Sequence, residues 1–528
     1  MTGKKSIILI HPPVSVPAGA PGGIARLAGF LRPAGVDCRV MDLNIEAMTD
    51  LLGQDIPAED TWTRRAKAGS AKNLAALRSR SLYAAFDRYK RAAADINRLL
   101  QAAGRQKGVN LSLSNYGDPR FLPVRSQDLA AAARAFESNL FYPFFEKRIS
   151  EAFGRRVPDI VGISVNFMSQ AICASAIAGY IRKRFPATRI VFGGGLVTSW
   201  KMIPGFSNPL EGIVDDLVAG PGENALKILS GVSETYGNGD PCPGFPYDYD
   251  VSNPGQYLSP LAILSVSASH GCYWRKCLFC PERAEKNPYR PYPPQMFNRY
   301  LRGLNREPGS ALIHFTDNTL SPRMLKHLAD HPPGLPWYGF ARITPHLADA
   351  QFAGRLAESG CVMLQLGIES GDQGVLDAMG KGTTVSTISM ALKTLGTAGI
   401  SVYGYLLFGT PAENEKSALK TRDFILAHAG YIDFLNLAVF NLPAHDGLVK
   451  TLETRSFYQG DLSLYREFIH PQGWGRDRVR AFLEKAFKSE APIKTIINND
   501  PPFFTSHHAP FFRMWPGDTG YPRRGYII

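Results

Sequence analysis

Between residues 261 and 445 the chain alternates between two textures. Six apolar runs rich in β-branched and aromatic residues begin with "LAILSVSASHGC" and continue with "ALIHFTDN", "WYGFARI", "VMLQLGIES", "SVYGYLLFG" and "DFLNLAVFNL". Most are separated by segments such as "SPRMLKHLADH", "DAQFAGRLAESG", "VSTISMALKTLGTAG" and "EKSALKTRDFILAHAG", which read as helices. Parallel strands cannot be joined by tight hairpins, because each pair needs a crossover, usually helical. About six βα units in series predict a parallel barrel or partial barrel, which keeps its reactive groups at the carboxyl ends of its strands.

The first 232 residues carry an interrupted version of the same alternation. A strand in "KSIILIH" leads through the loop "PPVSVPAGAPGG" to a helix in "IARLAGFLRPAG" and a second strand in "CRVMDLN". The pattern resumes at "DIVGISV", "AICASAIAGYIRKRF", "RIVFGGG" and "DDLVAGPGENALKILSG". This is the grammar of a doubly wound sheet. The expected fold class is therefore α/β, with a doubly wound domain over 1–232 interrupted by a mostly helical insertion at about 46–155. Residues 233–260, dense in Pro, Gly, Asn and Asp, read as a linker. The barrel occupies 261–445, and a small, mostly helical region with an aromatic tail completes the chain over 446–528.

The net charge of +13 is unevenly spread. Residues 61–107 hold twelve Lys or Arg against Asp87 and Asp95, while Leu74, Leu77, Phe86, Tyr89, Ala93, Ile96 and Leu100 recur at helical spacing. A solvated basic helix face explains this; a face meeting an acidic substrate or nucleic acid is the alternative. No run of eighteen apolar residues exists, so no membrane partner is expected, and the opening "MTGKKSIILIHPP" reads as a buried strand rather than a secretory segment. A cytoplasmic location follows.

Of seven cysteines, Cys38, Cys173, Cys242 and Cys361 are scattered, whereas "GCYWRKCLFCPE" places Cys272, Cys277 and Cys280 in the loop after the first barrel strand. In a reducing compartment such a cluster points to metal or catalysis rather than disulfides. Three thiolates suit zinc or an iron–sulfur group. Structural zinc wants four ligands, often as two pairs, and no second Cys-x-x-Cys exists. Three cysteines on a four-iron cluster leave one iron open, and this reading is preferred. The adjacent His507 and His508 are expected in core or surface positions rather than on one metal.

The cysteine trio, "FTDNTLS" (315–321), "LQLGIESGDQGVLDAMGKGTT" (364–384) and "AGISVYGYLLFGTPAENEKS" (398–417) together resemble, in order, the radical S-adenosylmethionine (SAM) superfamily. Residues 1–232 resemble the Rossmann-like cobalamin-binding domain often fused ahead of that barrel. The resemblance implies a 4Fe-4S cluster on Cys272, Cys277 and Cys280, with SAM on its open iron. It implies SAM contacts from Glu369, Ser370, Asp317, Asn318 and Arg342, although Asp317-Asn318 and Glu369-Ser370 equally suit helix caps. Gly371, Gly382, Gly404 and Gly409 are expected to serve turns and close approach. Trp274 and Phe279 either shield the cluster or simply pack the loop. The family's usual first spacing is three residues; here it is four, and an extra residue can bulge out of the loop while leaving the thiols in place, so the loop's contacts to SAM need not follow the family's.

By the same resemblance, cobalamin lies between the barrel mouth and the first domain's loops. Its expected contacts are Pro13–Gly23, Ser164 to Ser169, Gly193, Gly194 and Gly195, and Gly220, Pro221, Gly222 and Glu223. The Asp-x-His-x-x-Gly signature that gives cobalt a histidine is absent. The implied activity is reductive SAM cleavage, with cobalamin-dependent methyl transfer to an unactivated carbon or a phosphinate phosphorus. A cobalamin-associated rearrangement, cyclisation or ring contraction is the rival, and a cluster-bearing nucleic-acid-binding protein the alternative from another class. Expected partners are a small-molecule or peptide substrate and an electron donor such as flavodoxin or ferredoxin. The aromatic tail (Phe503, Phe504, Phe511, Phe512, Trp515) is expected to pack on the barrel or close its substrate cavity.

Overall fold

The structure, a computed structural model, describes residues 5–232, 247–249, 254–304, 310–457 and 459–515. Cys242, most of the expected linker and the tail beyond Trp515 lie outside the described residues. The chain divides into two compact units, one built mainly from residues up to Ala262 and the other mainly from Ile263 onward, with Tyr83–Phe86 joining the second.

The first unit is an open parallel sheet. Its strands are β1 (Ile7–His11), β2 (Cys38–Asp42), β3 (Ile160–Ser164), β4 (Arg189–Gly193) and β5 (Asp216–Leu217), ordered β2-β1-β3-β4-β5. β1 pairs in parallel on both edges and is covered on both faces, which is why "IILI" is apolar without alternation. Ile7 and Leu9 pack with Ile24, Ala28 and Leu31 of the helix Gly22–Leu31, so that helix buries the side of the sheet these two residues face. The order reverses between β1 and β3, and open α/β sheets carry ligands at the carboxyl side of such a switch point.

The insertion is helical at Thr61–Leu77, Phe86–Gln106, Ser126–Arg134 and Tyr142–Arg155. Leu77, Tyr89, Ala93, Ile96 and Leu100 are buried, and Arg64, Arg65, Lys72, Arg88, Arg91 and Arg98 are exposed, so the basic residues lie on the outer side of an apolar stripe. Leu74 and Phe86, expected in the same stripe, are only half-buried. Among the described residues no helix is long and apolar enough to cross a membrane.

The second unit is a six-stranded sheet curled into a half-barrel: β6 (Ala262–Val266), β7 (Ala311–Leu320), β8 (Trp337–Ala341), β9 (Cys361–Glu369), β10 (Ser401–Phe408) and β11 (Phe434–Val439), in sequential order. The pairings from β7 through β11 are parallel. Alternation separates two faces. Leu364, Leu366, Ile368, Val402, Leu406 and Phe408 are buried on the outer face, each worth about 1.5–3 kcal/mol. The inner face carries Thr316, Asn318, Gln365 and Tyr405, with Thr316 and Asn318 exposed.

Six strands are too few to close a barrel whose lumen side chains alone can fill. The C-terminal segment supplies the missing contacts. Tyr403 donates to Asp500 at 2.7 Å, Ser506 bonds Tyr405, and Arg513 pairs with Asp433. His507 meets His314 edge-on at 5.4 Å, whereas His508 stacks on Phe504 at 4.0 Å and bonds Tyr83 at 3.2 Å. The two histidines thus turn to different neighbours.

Candidate functional site

The cysteine loop leaves the carboxyl end of β6 and is closed at its base, where Ser269–His270 pairs antiparallel with Arg290–Pro291. Cys272, Cys277 and Cys280 are free, half-buried thiols within it. Burial, aided by the neighbouring Cys277 and Cys272 and opposed by backbone hydrogen bonds from Glu282 and Arg283, pushes the Cys280 thiol up to about 11. Burial also raises Cys277, while Lys381 and Arg342 oppose that shift. Three thiols that sense one another's charge need a cationic soft-metal group to exist together as thiolates. Among the described residues no three His, Cys, Asp or Glu side chains close on a single ion. The donor set fits an iron–sulfur cluster.

The fourth residue of the first spacing is accommodated at Arg275, which is exposed and adopts a left-handed φ of 52°. Its neighbour Trp274 turns inward. The indole donates to the Gly380 carbonyl at 3.1 Å, and the Arg342 guanidinium covers its ring at 3.7 Å. Leu278 N–H donates to the Met379 carbonyl at 2.8 Å. The "MGKG" turn following the helix Gln373–Ala378 is therefore a cradle for the cysteine loop. Gly382 has φ 62°, and a Cβ there would stand 2.2 Å from the Trp274 ring, so only glycine fits.

Lys381, between the two glycines, donates to Glu369 at 2.7 Å, and both side chains are about nine-tenths buried. Glu369 ends β9 with φ 62°, a conformation rare outside glycine that concentrates at functional sites. Arg342 is fixed by the Lys381 and Gly382 carbonyls, while its Nε is buried without a partner. Two cations, one carboxylate and three thiols thus converge at the carboxyl ends of β6, β8 and β9.

The other expected contacts divide. Asp317 accepts from Ala268 N–H at 2.8 Å and Ser269 Oγ at 2.6 Å, and burial still raises its carboxyl to about 6. It braces the strand end that launches the cysteine loop. Ser370 is fully buried, bonding Thr421 at 3.1 Å and accepting from Asp372 N–H at 3.1 Å, so it shapes the turn after β9. Asn318 is exposed on the inner face and bonds Glu282 of the cysteine loop. Neither pair caps a helix: Ser321 and Asp372 do.

In the first unit the residues expected around cobalamin do gather at strand carboxyl ends. Ser164 closes β3 and accepts from Asn166 at 3.1 Å; Ser169 Oγ donates to the Val14 carbonyl at 2.8 Å across the β1/β3 switch point. Gly193 ends β4. Gly194, at φ 105°, approaches the Val165 carbonyl so closely that a Cβ would lie 2.5 Å from it, and Gly195 N–H donates to Asn166 Oδ1 at 3.1 Å. Gly220 N–H donates to Thr198 at 2.9 Å, Gly222 lies over Leu27, and Glu223 is paired with Arg26. His11, at the end of β1, bonds Ser15 at 2.9 Å and keeps Nδ1 buried without a partner. Phe167 stands 56% exposed beside the switch point. Bare Gly-rich lips with an exposed aromatic fit a large planar cofactor.

Sequence reasoning missed Lys381 and His11, whereas Asn166 falls inside the expected stretch Ser164 to Ser169. A lysine between two glycines just after a short helix was the available signal for the first; nothing in the local pattern marked the second.

Residues 266–425 match the family model of the radical SAM superfamily. No curated protein matches the chain in sequence. Among solved structures, the chain is similar to the cobalamin-dependent S-adenosylmethionine radical enzyme OxsB with aqua-cobalamin bound: TM-score 0.52, 14% identity, covering 80% of this chain and 52% of that one. It is also similar to the radical S-adenosylmethionine methyltransferase TsrM from Kitasatospora setae with cobalamin and a [4Fe-4S] cluster bound: TM-score 0.51, 16% identity, covering 83% of this chain and 73% of that one. The chain spans about half the length of OxsB, and at these identities the likeness is one of fold.

Proposed function

We propose, from the premise that this chain is a radical SAM enzyme with its radical SAM domain at residues 266–425, that it is a cobalamin-dependent methyltransferase acting on an unactivated carbon or a phosphinate phosphorus. The observation that carries the reading is the half-buried thiol trio clamped against the Glu369–Lys381 pair at the mouth of a parallel half-barrel, in one chain with a second parallel sheet whose loop ends are Gly-rich. Cys272, Cys277 and Cys280 hold the cluster, which when bound supplies the electron that splits SAM into methionine and a 5′-deoxyadenosyl radical. Lys381 and Arg342 offset the negative charge of three thiolates. Glu369, fixed by Lys381, meets the cationic or hydroxyl groups of SAM from the end of β9. Trp274 and Phe279 screen the loop from water.

The β1, β3 and β4 lips would hold cobalamin, which when bound would supply the methyl carrier. Substrate is a small molecule or peptide, the electron comes from a flavodoxin or ferredoxin, and the work is done in the reducing cytoplasm.

The test is to reconstitute the full chain with iron, sulfide and hydroxocobalamin, reduce it, and supply methyl-deuterated SAM. Formation of both 5′-deoxyadenosine and S-adenosylhomocysteine, with deuterium on retained corrinoid, is expected. 5′-Deoxyadenosine alone overturns methyl transfer in favour of a rearrangement; absence of both overturns the whole reading.

A further inference from the structure

A cavity of about 270 Å3 opens where β10 and β11 end, lined there by Gly409, Val439 and Phe440. Its other walls come from the antiparallel ribbon Thr454–Ser456 and Tyr465–Phe468, from Phe457 just after the first of these, and from residues 469–478. Just below the ~300–1,000 Å3 usual for whole small-molecule sites, it suits one end of a ligand.

Four guanidinium groups line this space: Arg455, Arg466, Arg476 and Arg478, against Glu467 and Asp477. Arg455 and Glu467 face each other across the ribbon and pair at 2.8 and 3.1 Å, so they cancel. Arg476 is oriented by the Phe440 carbonyl at 3.3 Å and by Asn441, and its guanidinium lies 4.7 Å over the Phe457 ring. Arg466 and Arg478 have no ion pair among the described residues. Four guanidinium groups against two carboxylates leave this lining with a net positive charge. Gathering cations around one cavity is repulsive unless an anion joins them, and the planar fork of arginine matches carboxylate and phosphate two bonds at a time. Phe440, Phe457 and Phe468 give the same cavity apolar walls.

We propose that this cavity is a substrate subsite that receives a carboxylate- or phosphate-bearing, flat apolar group, so that the enzyme's substrate is anionic. The inference rests on reading the half-barrel as a catalyst, because substrates of parallel barrels meet the carboxyl ends of the strands.

The full-length protein is titrated with phenyl phosphate, benzoate and uncharged phenol by calorimetry at low and moderate salt. At least one of the two anions binds, more weakly as salt rises, and phenol does not compete. The double variant Arg466→Ala/Arg478→Ala weakens binding at least tenfold, and Arg466→Lys/Arg478→Lys restores part of it. The preferred anion, phosphate or carboxylate, names the substrate's class. No anion binding, unchanged binding in the alanine variant, or displacement of the anion by S-adenosylhomocysteine overturns the proposal. The same preparation is assayed for 5′-deoxyadenosine. Cleavage of SAM without anion binding removes this inference alone; anion binding without SAM cleavage removes the functional reading alone.

Discussion

At the mouth of the half-barrel, Glu369, Lys381 and Arg342 are almost wholly buried and each is fixed by a named partner. At the carboxyl ends of β1, β3 and β4, backbone does most of the work: Gly193, Gly194 and Gly195 carry no side chain, and Ser164 and Asn166 orient the turn among themselves. The two sheets share the parallel architecture yet prepare their strand ends differently. Buried charge held by side chains suits a site that must place reacting atoms within tenths of an ångström and keep water out. Glycine lips suit a site that accepts a large cofactor by shape. On the proposed function, chemistry belongs to one unit and carriage to the other.

The largest effect should come from the thiols. Replacing Cys272, Cys277 and Cys280 together with Ala is expected to abolish the cluster chromophore and all 5′-deoxyadenosine formation, while hydroxocobalamin retention by the first unit persists. Cys361→Ala serves as the control: this thiol is buried on the first strand position of β9, and its loss should leave iron content unchanged. Iron and sulfide measurements decide the matter. Full retention of iron in the triple variant would remove the division of labour at its root.

A smaller effect separates chemistry from stability within the barrel mouth. Lys381→Met leaves Glu369 as a buried, unpaired carboxylate and should destabilise the protein by about 3–5 kcal/mol. Glu369→Gln/Lys381→Met removes both charges and should recover most of that loss. SAM cleavage should stay at least tenfold down in the double variant, because the carboxylate itself is proposed to meet SAM. If the double variant recovers cleavage along with its denaturation midpoint, Glu369 is only a structural partner of Lys381.

The contrast also explains what could be read from the sequence. The barrel's apolar runs and cysteine spacing stand out because each strand alternates between a lumen and a core, and because thiols have few other reasons to cluster. Trp274 reads ambiguously in sequence; its place over Gly382 and beneath Arg342 requires two segments about a hundred residues apart to meet. Asp317 and Ser370 read as ligand contacts or caps because short polar residues after a strand serve either purpose. Their actual partners, Ser269 and Thr421, are set by tertiary packing. The cavity of arginines was invisible for the same reason: Arg455 and Arg478 converge only through the fold of an irregular segment.

The smallest effect tests whether burial of charge truly distinguishes the barrel unit. Its carboxyls Asp317 and Asp500 are raised by burial to about 6, and Glu413 to about 7. In the first unit, Asp159 is instead lowered by hydrogen bonds from Ser6, although burial raises Glu46 there, against its pairing with Arg148. A raised carboxyl binds its proton more tightly when folded, so it stabilises the fold at acid pH and that stability is lost as pH rises through the folded pKa. A lowered one does the reverse, adding stability above the ordinary carboxylate range and losing it as pH falls. Glu413 isolates the first behaviour. One of its oxygens accepts from Gly409 N–H and from Trp474 Nε1, the latter at 3.0 Å, and the other is buried without a partner. Glu413→Gln keeps an acceptor for both donors and removes the titration. Near pH 5 the variant and the parent should unfold at similar temperatures. By pH 8 the variant should be higher by about 2–4 °C, the shift expected for roughly 1 kcal/mol in a unit of this size. Hydrogen exchange of β9 and β10, compared with β1 and β3, locates the change in the barrel unit. Parallel pH profiles for parent and variant would mean that Glu413 is paired well enough to titrate normally, and that buried charge is not what sets the barrel apart.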